Sequence, residues 1–444
     1  MSNMAKQPVV CMAGCGQRVI TPPVGVSLAG YFHDRVATSV RDDLMARAMV
    51  MEHEGARLAL VSCDLICMSE EVAGAAKALI EKEAGIPPER VLIGATHTHT
   101  GPEIRPGSVI SRNEEYVAGL PRRIADAVGA AARNMFRATL RPGRAVCEGY
   151  AFNRLFRMKD GTEVFGRGGD QVVKVAGPVD PDLQTLSVVD EEGRLRAMAV
   201  NFALHADVIG GGKADFISAD WPGVVAQTVA AVYGQDVVTV FLQGTCGDIN
   251  HNPHEPTFLP TRGPAKAAQV GRGVAAVAMH ASERAEPMTF VRLWGEMRTL
   301  TIPYYTREAG LLAQVAELKK KPEADRTPFD RFLIERTEKW PYDGKMADAP
   351  IQAMQIGEMA VAGFPAEIFV RIGLEVKSFS PLARTMVVEL ANARVTNYVP
   401  TTDQAERGAY GAKPILSRWL CADAGRRMAD AMQAMLWRGI VGPG

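Results

Sequence analysis

Residues 91–103 read VLIGATHTHTGPE, an apolar run that ends in two histidines one residue apart and then Gly-Pro. Alternation along a strand sends every second side chain to one face, so His97 and His99 project together. Gly101-Pro102 then stops the strand and opens a loop. Two parallel imidazoles at the carboxyl end of a strand suit a metal or an acid/base pair, and suit a packed core poorly. Five of the eight histidines fall in segments of this design. VNFALHADVIGG delivers His205 and Asp207 before a glycine run, and VFLQGTCGDINHNPHEP ends a strand in Gly-Asp before His251 and His254. A lone histidine on an apolar face is usually a satisfied core residue. Ligands gather at the carboxyl ends of strands in an open α/β sheet, and three such segments point to one shared rim.

Neutral imidazole is the commonest zinc ligand, and a catalytic zinc keeps one position open for water. His97 and His205 are the expected metal pair, with His99 aimed at substrate. A carboxylate is expected as a third ligand. Glu367 in FPAEIF, right after the apolar run MAVAGF, supplies one, although a first-turn helix acid favoured by the dipole would look the same. Asp64 ends a strand and reads either as a partner orienting a ligand histidine or as a cap. Asp220 and Asp248 read either as site residues or as caps of the turns and helices that follow them.

The elements that must carry these residues alternate. MARAMVMEH and RLALVSCDLI form a hairpin around Glu54-Gly55, residues 69–84 a helix stopped by Gly85, VLIGAT a strand, and 114–138 a long amphipathic segment. RAVCEGYAF, LQTLSVVD, RAMAVNFALH and DVVTVFLQG follow as strands, with helices at 221–233 and about 263–285. MAVAGFPAE and ARTMVVELAN close the series. This rhythm implies an α/β fold, a layered α/β/α domain spanning 1–444 with helices on both faces of a mixed central sheet. Residues 315–350 break it with charge and aromatics and read as an inserted helical hairpin or lid, or as a solvated surface.

The bulk composition sets limits. The chain has 444 residues, 47% hydrophobic, with Lys+Arg and Asp+Glu equal at 50 each, which fits a soluble globular protein and argues against nucleic-acid binding. No apolar stretch has signal-peptide or membrane-spanning length, so a cytoplasmic protein without membrane insertion is expected. The seven cysteines sit mostly inside apolar runs. Cys11/Cys15 and Cys63/Cys67 have a spacing open to metal binding but read better as small reduced residues. Ala and Met on predicted helix faces leave room for a homo-oligomer. His251, His254, Arg105 and Arg157 hint at a polar or acidic small-molecule substrate, and each reads equally as a solvated loop residue.

A set of motifs in order along the chain resembles the neutral (non-lysosomal) ceramidases, zinc-dependent amidases that release a fatty acid from an N-acylated sphingoid base. AGCGQRVITPPVGVSLAGY is similar to the family's opening, ATHTHTGP to its Thr-His-Thr-His-Ser-Gly-Pro signature, and FNRLF to its Asn-Arg-Ser-Pro motif. NFALHADVIGG with FISADWPG resembles its Phe-Ala-x-His segment and following Ser-Asp, and QGTCGDINHN its Gly-Asp-Val-Ser-Pro-Asn loop. GFPAE resembles Pro-Gly-Glu, and NYVPTTDQAERGAYGA the Tyr-Val-Thr-Thr stretch ending in Tyr-Glu-Gly.

The resemblance implies one zinc ion per chain held by His97, His205, Glu367 and Tyr398. His99 would hydrogen-bond the reacting group, Arg154 and Tyr410 would bind the carbonyl or its oxyanion, and zinc-hydroxide attack would cleave an amide. Asn250 and His251 stand where the family has Ser-Pro, which excludes a serine nucleophile there. Thr100, Phe156 and Ala366 replace other motif residues. No C-terminal immunoglobulin-like domain and no export signal are expected, so a membrane-lipid substrate is not. The expected function is hydrolysis of a small or soluble N-acyl compound. An ester or lactone is the alternative, and a non-catalytic binding protein the third reading.

Overall fold

The structure is a computed structural model and describes residues 7–442 apart from 32, 107, 109, 167, 168 and 256. Its largest sheet has eight strands, labelled in chain order: β1 (Val10–Val19), β2 (Met45–His53), β3 (Ala56–Cys63), β4 (Val91–Ala95), β5 (Phe136–Val146), β6 (Asp182–Asp190), β7 (Leu195–Phe202) and β8 (Val238–Gln243). Their spatial order is β8-β7-β6-β5-β1-β2-β3-β4. All pairings are antiparallel except those at the two edges, β3 with β4 and β7 with β8. Parallel neighbours need a crossover, supplied by α1 (Glu70–Ala84) at one edge and α3 (Asp220–Tyr233) at the other. Ser69 caps α1, accepting from the Val72 N–H, and Gly85 ends it at φ +65°, as its flanking residues predict.

The mixed central sheet and its helices match the alternation in the sequence; the layer beneath does not. Helices α1, α2 (Glu114–Arg133), α3 and α4 (Pro264–Glu283) cover one face of the eight-stranded sheet. The other face packs on a second sheet of β9 (Leu293–Pro303), β10 (Met346–Ile356), β11 (Met359–Gly363) and β12 (Arg384–Val388). Its far side is closed by α7 (Val370–Phe379) and α8 (Ala424–Leu436). Two sheets therefore lie between the helical layers instead of one. Residues 309–338 form a hairpin of two helices, α5 (Ala309–Lys320) and α6 (Pro328–Glu338); the segment expected at 315–350 overlaps it, and its last residues, from 346, belong to β10. Among the described residues no helix is long and apolar enough to cross a membrane.

The large sheet curls so that β8, one edge, packs its apolar side chains against β2, β3 and β4, the other edge. A strap at 389–392 joins the edges. Glu389 N–H donates to the Gln243 carbonyl of β8 (3.0 Å), while Asn392 N–H donates to Ile93 of β4 (2.8 Å) and the Leu390 carbonyl accepts from Ala95 (3.3 Å). This brings together chain segments more than a hundred residues apart.

Lys77 is buried on the inner side of α1, and its ammonium has the Met297 sulfur at 3.7 Å. Burial lowers its pKa to about 7, only partly offset by the charge of Glu89. Between that value and the ordinary lysine range the unfolded chain binds more protons than the folded one, so stability rises with pH there, and the full penalty applies below pH 7. Lys77→Met is expected to stabilise the protein, by roughly 3–4 kcal/mol more at pH 6 than at pH 10. Urea unfolding at the two pH values checks this; an equal gain at both would show that the buried charge is not the cause.

Candidate metal centre

Strand β4 ends at Ala95, and the residues that follow are pinned to the loop after β3. Thr96 N–H donates to the Cys63 carbonyl and His97 N–H to that of Leu65, both at 2.9 Å. His97 sits at φ +69°, a region that a non-glycine residue enters only where its surroundings impose it. The strand alternation that placed both histidines on one face has therefore stopped before it reaches them. The turn aims them instead.

Each imidazole is anchored through Nδ1: His97 to the Ile66 carbonyl at 2.7 Å, His99 to that of Gly30 at 3.0 Å, His205 to that of Cys246 at 3.4 Å. A carbonyl only accepts, so Nδ1 carries the proton and Nε2 the lone pair of each neutral ring. The three Nε2 atoms face one another, His97 to His205 at 3.0 Å, His99 to His205 at 3.2 Å and His97 to His99 at 3.4 Å. With no hydrogen available between them these are three opposed lone pairs, an arrangement that a central cation turns into ligation. Glu367 Oε2 lies 3.4 Å from His97 Nε2 and, though buried, has no hydrogen-bond partner. Three imidazoles and an orphaned carboxylate oxygen could together hold a metal ion. Gly30 can bring its carbonyl this close only without a side chain: at φ +99° its Cβ would stand 2.4 Å from His99 Nδ1.

The electrostatics agree. Burial, and then the charge a protonated His97 would carry, hold His99 and His205 well below the usual histidine range. Burial acts on His97 too, but Glu367 outweighs it and raises its pKa. Burial would raise Glu367, yet His97 first and then His99 and Arg154 hold it down to about 2. Without a cation, a proton between His97 and Glu367 takes its place; metal binding would release it.

His99, expected over the substrate, is as close to the common point as the other two rings, so it could serve as a third nitrogen donor. Tyr398, expected as a fourth ligand, pairs in register with Glu367, and its phenol feels the charges of both Glu367 and Arg154. Arg154, buried and with its Nε unpartnered, lies over the rings of Tyr410 (5.0 Å), Tyr398 (5.5 Å) and Phe165 (5.6 Å) and donates through Nη2 to the Gly247 carbonyl at 2.6 Å. Burial and the Glu367 charge push the Tyr398 phenol well up, so it is a neutral hydroxyl there.

The acidic candidates hold backbone rather than histidine rings. Asp64 accepts from Arg47 (2.7 Å) and Met45 N–H (2.9 Å); the ring-orienting role expected of it falls to the Ile66 carbonyl two residues on. Asp220 accepts from the N–H groups of Val208, Ile209 and Trp221, fixing the loop after His205. Asp248 accepts from Val370 N–H and Asn153 and so joins the Arg154 strand to the segment after Glu367. Asn250 accepts from Asn252 N–H in a local turn. His251 is buried near Asp207, Arg262 and Lys266 and is not among the converging donors.

Sequence reading passed over Glu389. Fully buried, it accepts from Cys246 N–H (3.1 Å), the Cys246 thiol (3.0 Å) and Ile368 N–H (2.8 Å). It thereby ties the loop whose carbonyl holds His205 to the residue after Glu367. A glutamate closing the apolar run TMVVEL was the visible signal.

The fold is shared with the neutral ceramidase from Pseudomonas aeruginosa, whose crystal structure superposes with a TM-score of 0.76 over 97% of this chain and 74% of that one at 20% identity. A structure of a ceramidase complexed with C2 gives the same TM-score and identity over 97% and 75% of the two chains. No family model matches the sequence, and no curated protein matches it by sequence.

Proposed function

We propose that this neutral-ceramidase-like domain is a zinc-dependent hydrolase that cleaves the amide bond of an N-acyl compound. The observation that carries the proposal is the convergence of three imidazole Nε2 atoms, each with its Nδ1 bonded to a backbone carbonyl, beside an unpartnered buried carboxylate oxygen. Zinc held by His97, His99, His205 and Glu367 supplies Lewis acidity that activates water near neutral pH and polarises a carbonyl. Arg154 is a permanent cation with a free, buried N–H beside Glu367, suited to the negative charge that grows on the carbonyl oxygen. The rings of Tyr398 and Tyr410 flank that guanidinium and carry hydroxyls suited to orienting the substrate. The balance is simple: water adds to the carbonyl carbon, the C–N bond breaks, and one proton of the water passes to the leaving nitrogen.

Protein purified without added metal and measured by elemental analysis is expected to hold about one zinc per chain. Its hydrolysis of simple anilides should disappear on chelation and return with zinc. Turnover that survives complete metal removal, or a zinc-loaded protein inert toward every amide offered, would overturn the proposal.

A further inference from the structure

A cavity of about 840 Å³ opens between the loop after β4, at Arg105 and Pro106, and the segment at Arg394 and Val395, lined by Phe332 and Trp340 of the inserted region and by Tyr342 and Trp419. Three arginines line it, Arg105, Arg336 and Arg394, of which Arg336 lies 5.6 Å over the Phe332 ring of the same helix. Arg105 is already neutralised, its Nε lying 2.7 and 3.0 Å from the two oxygens of Glu103. The same is true of Arg157, which pairs with Glu163 outside the cavity. Arg394 is different. Half-buried, it makes no ion pair and no hydrogen bond among the described residues, and its guanidinium sits 5.1 Å over the Trp419 ring. The acids at the mouth are committed elsewhere or stand off: Glu71 pairs with Arg112 at 3.1 Å and Glu335 with Lys339 at 2.7 Å, and neither Glu70 nor Asp348 is within ion-pair distance of Arg394. The acids whose charge reaches it, Glu367 and Glu103, are engaged by the histidine centre and by Arg105; a guanidinium keeps its charge wherever it is placed, so Arg394 is a cation facing the cavity with no acid paired to it.

The chain connects this cation to the metal centre. Residues 394–398 run beside 365–367, with Val395 N–H donating to the Pro365 carbonyl (3.0 Å) and Glu367 N–H to that of Asn397 (2.9 Å). Tyr398, at the far end, pairs with Glu367. None of the four donors lines the cavity, so a molecule with its reacting carbonyl at the donors and another group at Arg394 is elongated. The aromatic lining of the cavity suits a hydrocarbon chain or a ring.

We propose that this cavity receives the carboxylate end of an elongated anionic substrate, with Arg394 as its counter-ion and Trp419 and Tyr342 along its chain. The proposal rests on the amide-hydrolase reading for the reacting end only. The probes are monoanilides of linear dicarboxylic acids of about four to ten carbons, paired with ω-hydroxyalkanoyl anilides of equal length, which are polar but uncharged. The acids are expected to exceed their uncharged partners in kcat/KM by about 10- to 100-fold at a preferred length, with most of the gap in KM and with the gap shrinking at about 0.5 M salt. Arg394→Gln should bring the ratio near one, and Arg394→Lys should keep part of it.

A wild type that treats acids and alcohols alike overturns the proposal, and so does an Arg394→Gln protein that keeps the full preference. If no anilide is hydrolysed, the hydrolase reading fails for these compounds while the cavity is still judged by binding. The same acids should then quench tryptophan fluorescence saturably, through Trp340 and Trp419, and Arg394→Gln should abolish the effect. Absent or Arg394-independent quenching overturns the assignment.

Discussion

His205→Ala is expected to leave less than about a tenth of the wild-type metal in the purified protein and to lower amide hydrolysis by about a thousandfold or more. The reason lies in the donor geometry. Among His97, His99 and His205 the two shortest approaches both involve His205. Removing it opens the cluster on the side where the Cys246 loop closes, and leaves two rings one residue apart with a carboxylate. Loss of activity alone would not separate a ligand from a packing residue, because any buried truncation costs stability. The discriminating readout is the response of the melting temperature to chelation. A ligand bound only by the folded state stabilises it by mass action, so chelation should lower wild-type melting by about 5 °C or more. His205→Ala should melt at the same temperature with and without chelator. A variant whose melting still answers to zinc would remove His205 from the ligand set.

Glu389→Ala is expected to have the largest effect on stability, roughly 3–5 kcal/mol. It strands two backbone N–H groups and a thiol inside the protein, where all three now donate to one carboxyl group. Because those donors hold the loop behind His205 and the residue after Glu367, zinc affinity should fall by about 10- to 100-fold as well. Glu389→Gln should be far milder. Both backbone donors go to the single oxygen Oε2, which an amide oxygen replaces, leaving only the weak thiol contact disturbed. The two variants also differ with pH. Burial raises the Glu389 pKa to about 8, so between the ordinary glutamate range and that value the folded state binds more protons than the unfolded one. Its contribution to stability is complete below that window and is lost as pH rises through it. In chelated protein Glu389→Gln should flatten this decline. An unchanged slope from pH 5 to pH 8, with Glu389→Ala tolerated, would show that the carboxyl group does not hold the two loops.

Much of this arrangement was legible. The hairpin at Glu54-Gly55, the capped helix α1, β4 and the strands leading to His205 and to the Asp248 loop all announce themselves through apolar runs and turn residues. His97, His205 and Glu367, the nominated ligands, do meet. The strand argument brought His97 and His99 together by a route the structure does not take, since β4 ends before them and His97 adopts a left-handed backbone. Ring direction depends on Nδ1 contacts with Ile66 and Gly30, and Gly30 is 69 residues from His99. That is why His99 read as a substrate residue. The second sheet was hidden for another reason: β9, LWGEMRTLTIP, is half-exposed and charged, so it lacks the apolar signature of a core strand. Arg394 and Glu389 owe their meaning to what they face, which no local pattern records.

The strap at 389–392 also bears on how the protein is made. A ribosome that has synthesised the first 300 residues has already delivered all three histidines, but neither Glu367 nor the segment that bonds β8 to β4. Until that segment emerges, the two edges of the large sheet have no hydrogen-bonded bridge between them, and a nascent chain cannot assemble the four-donor centre. A cation held by all four donors could therefore be bound only after Glu367 and the strap at 389–392 have been made.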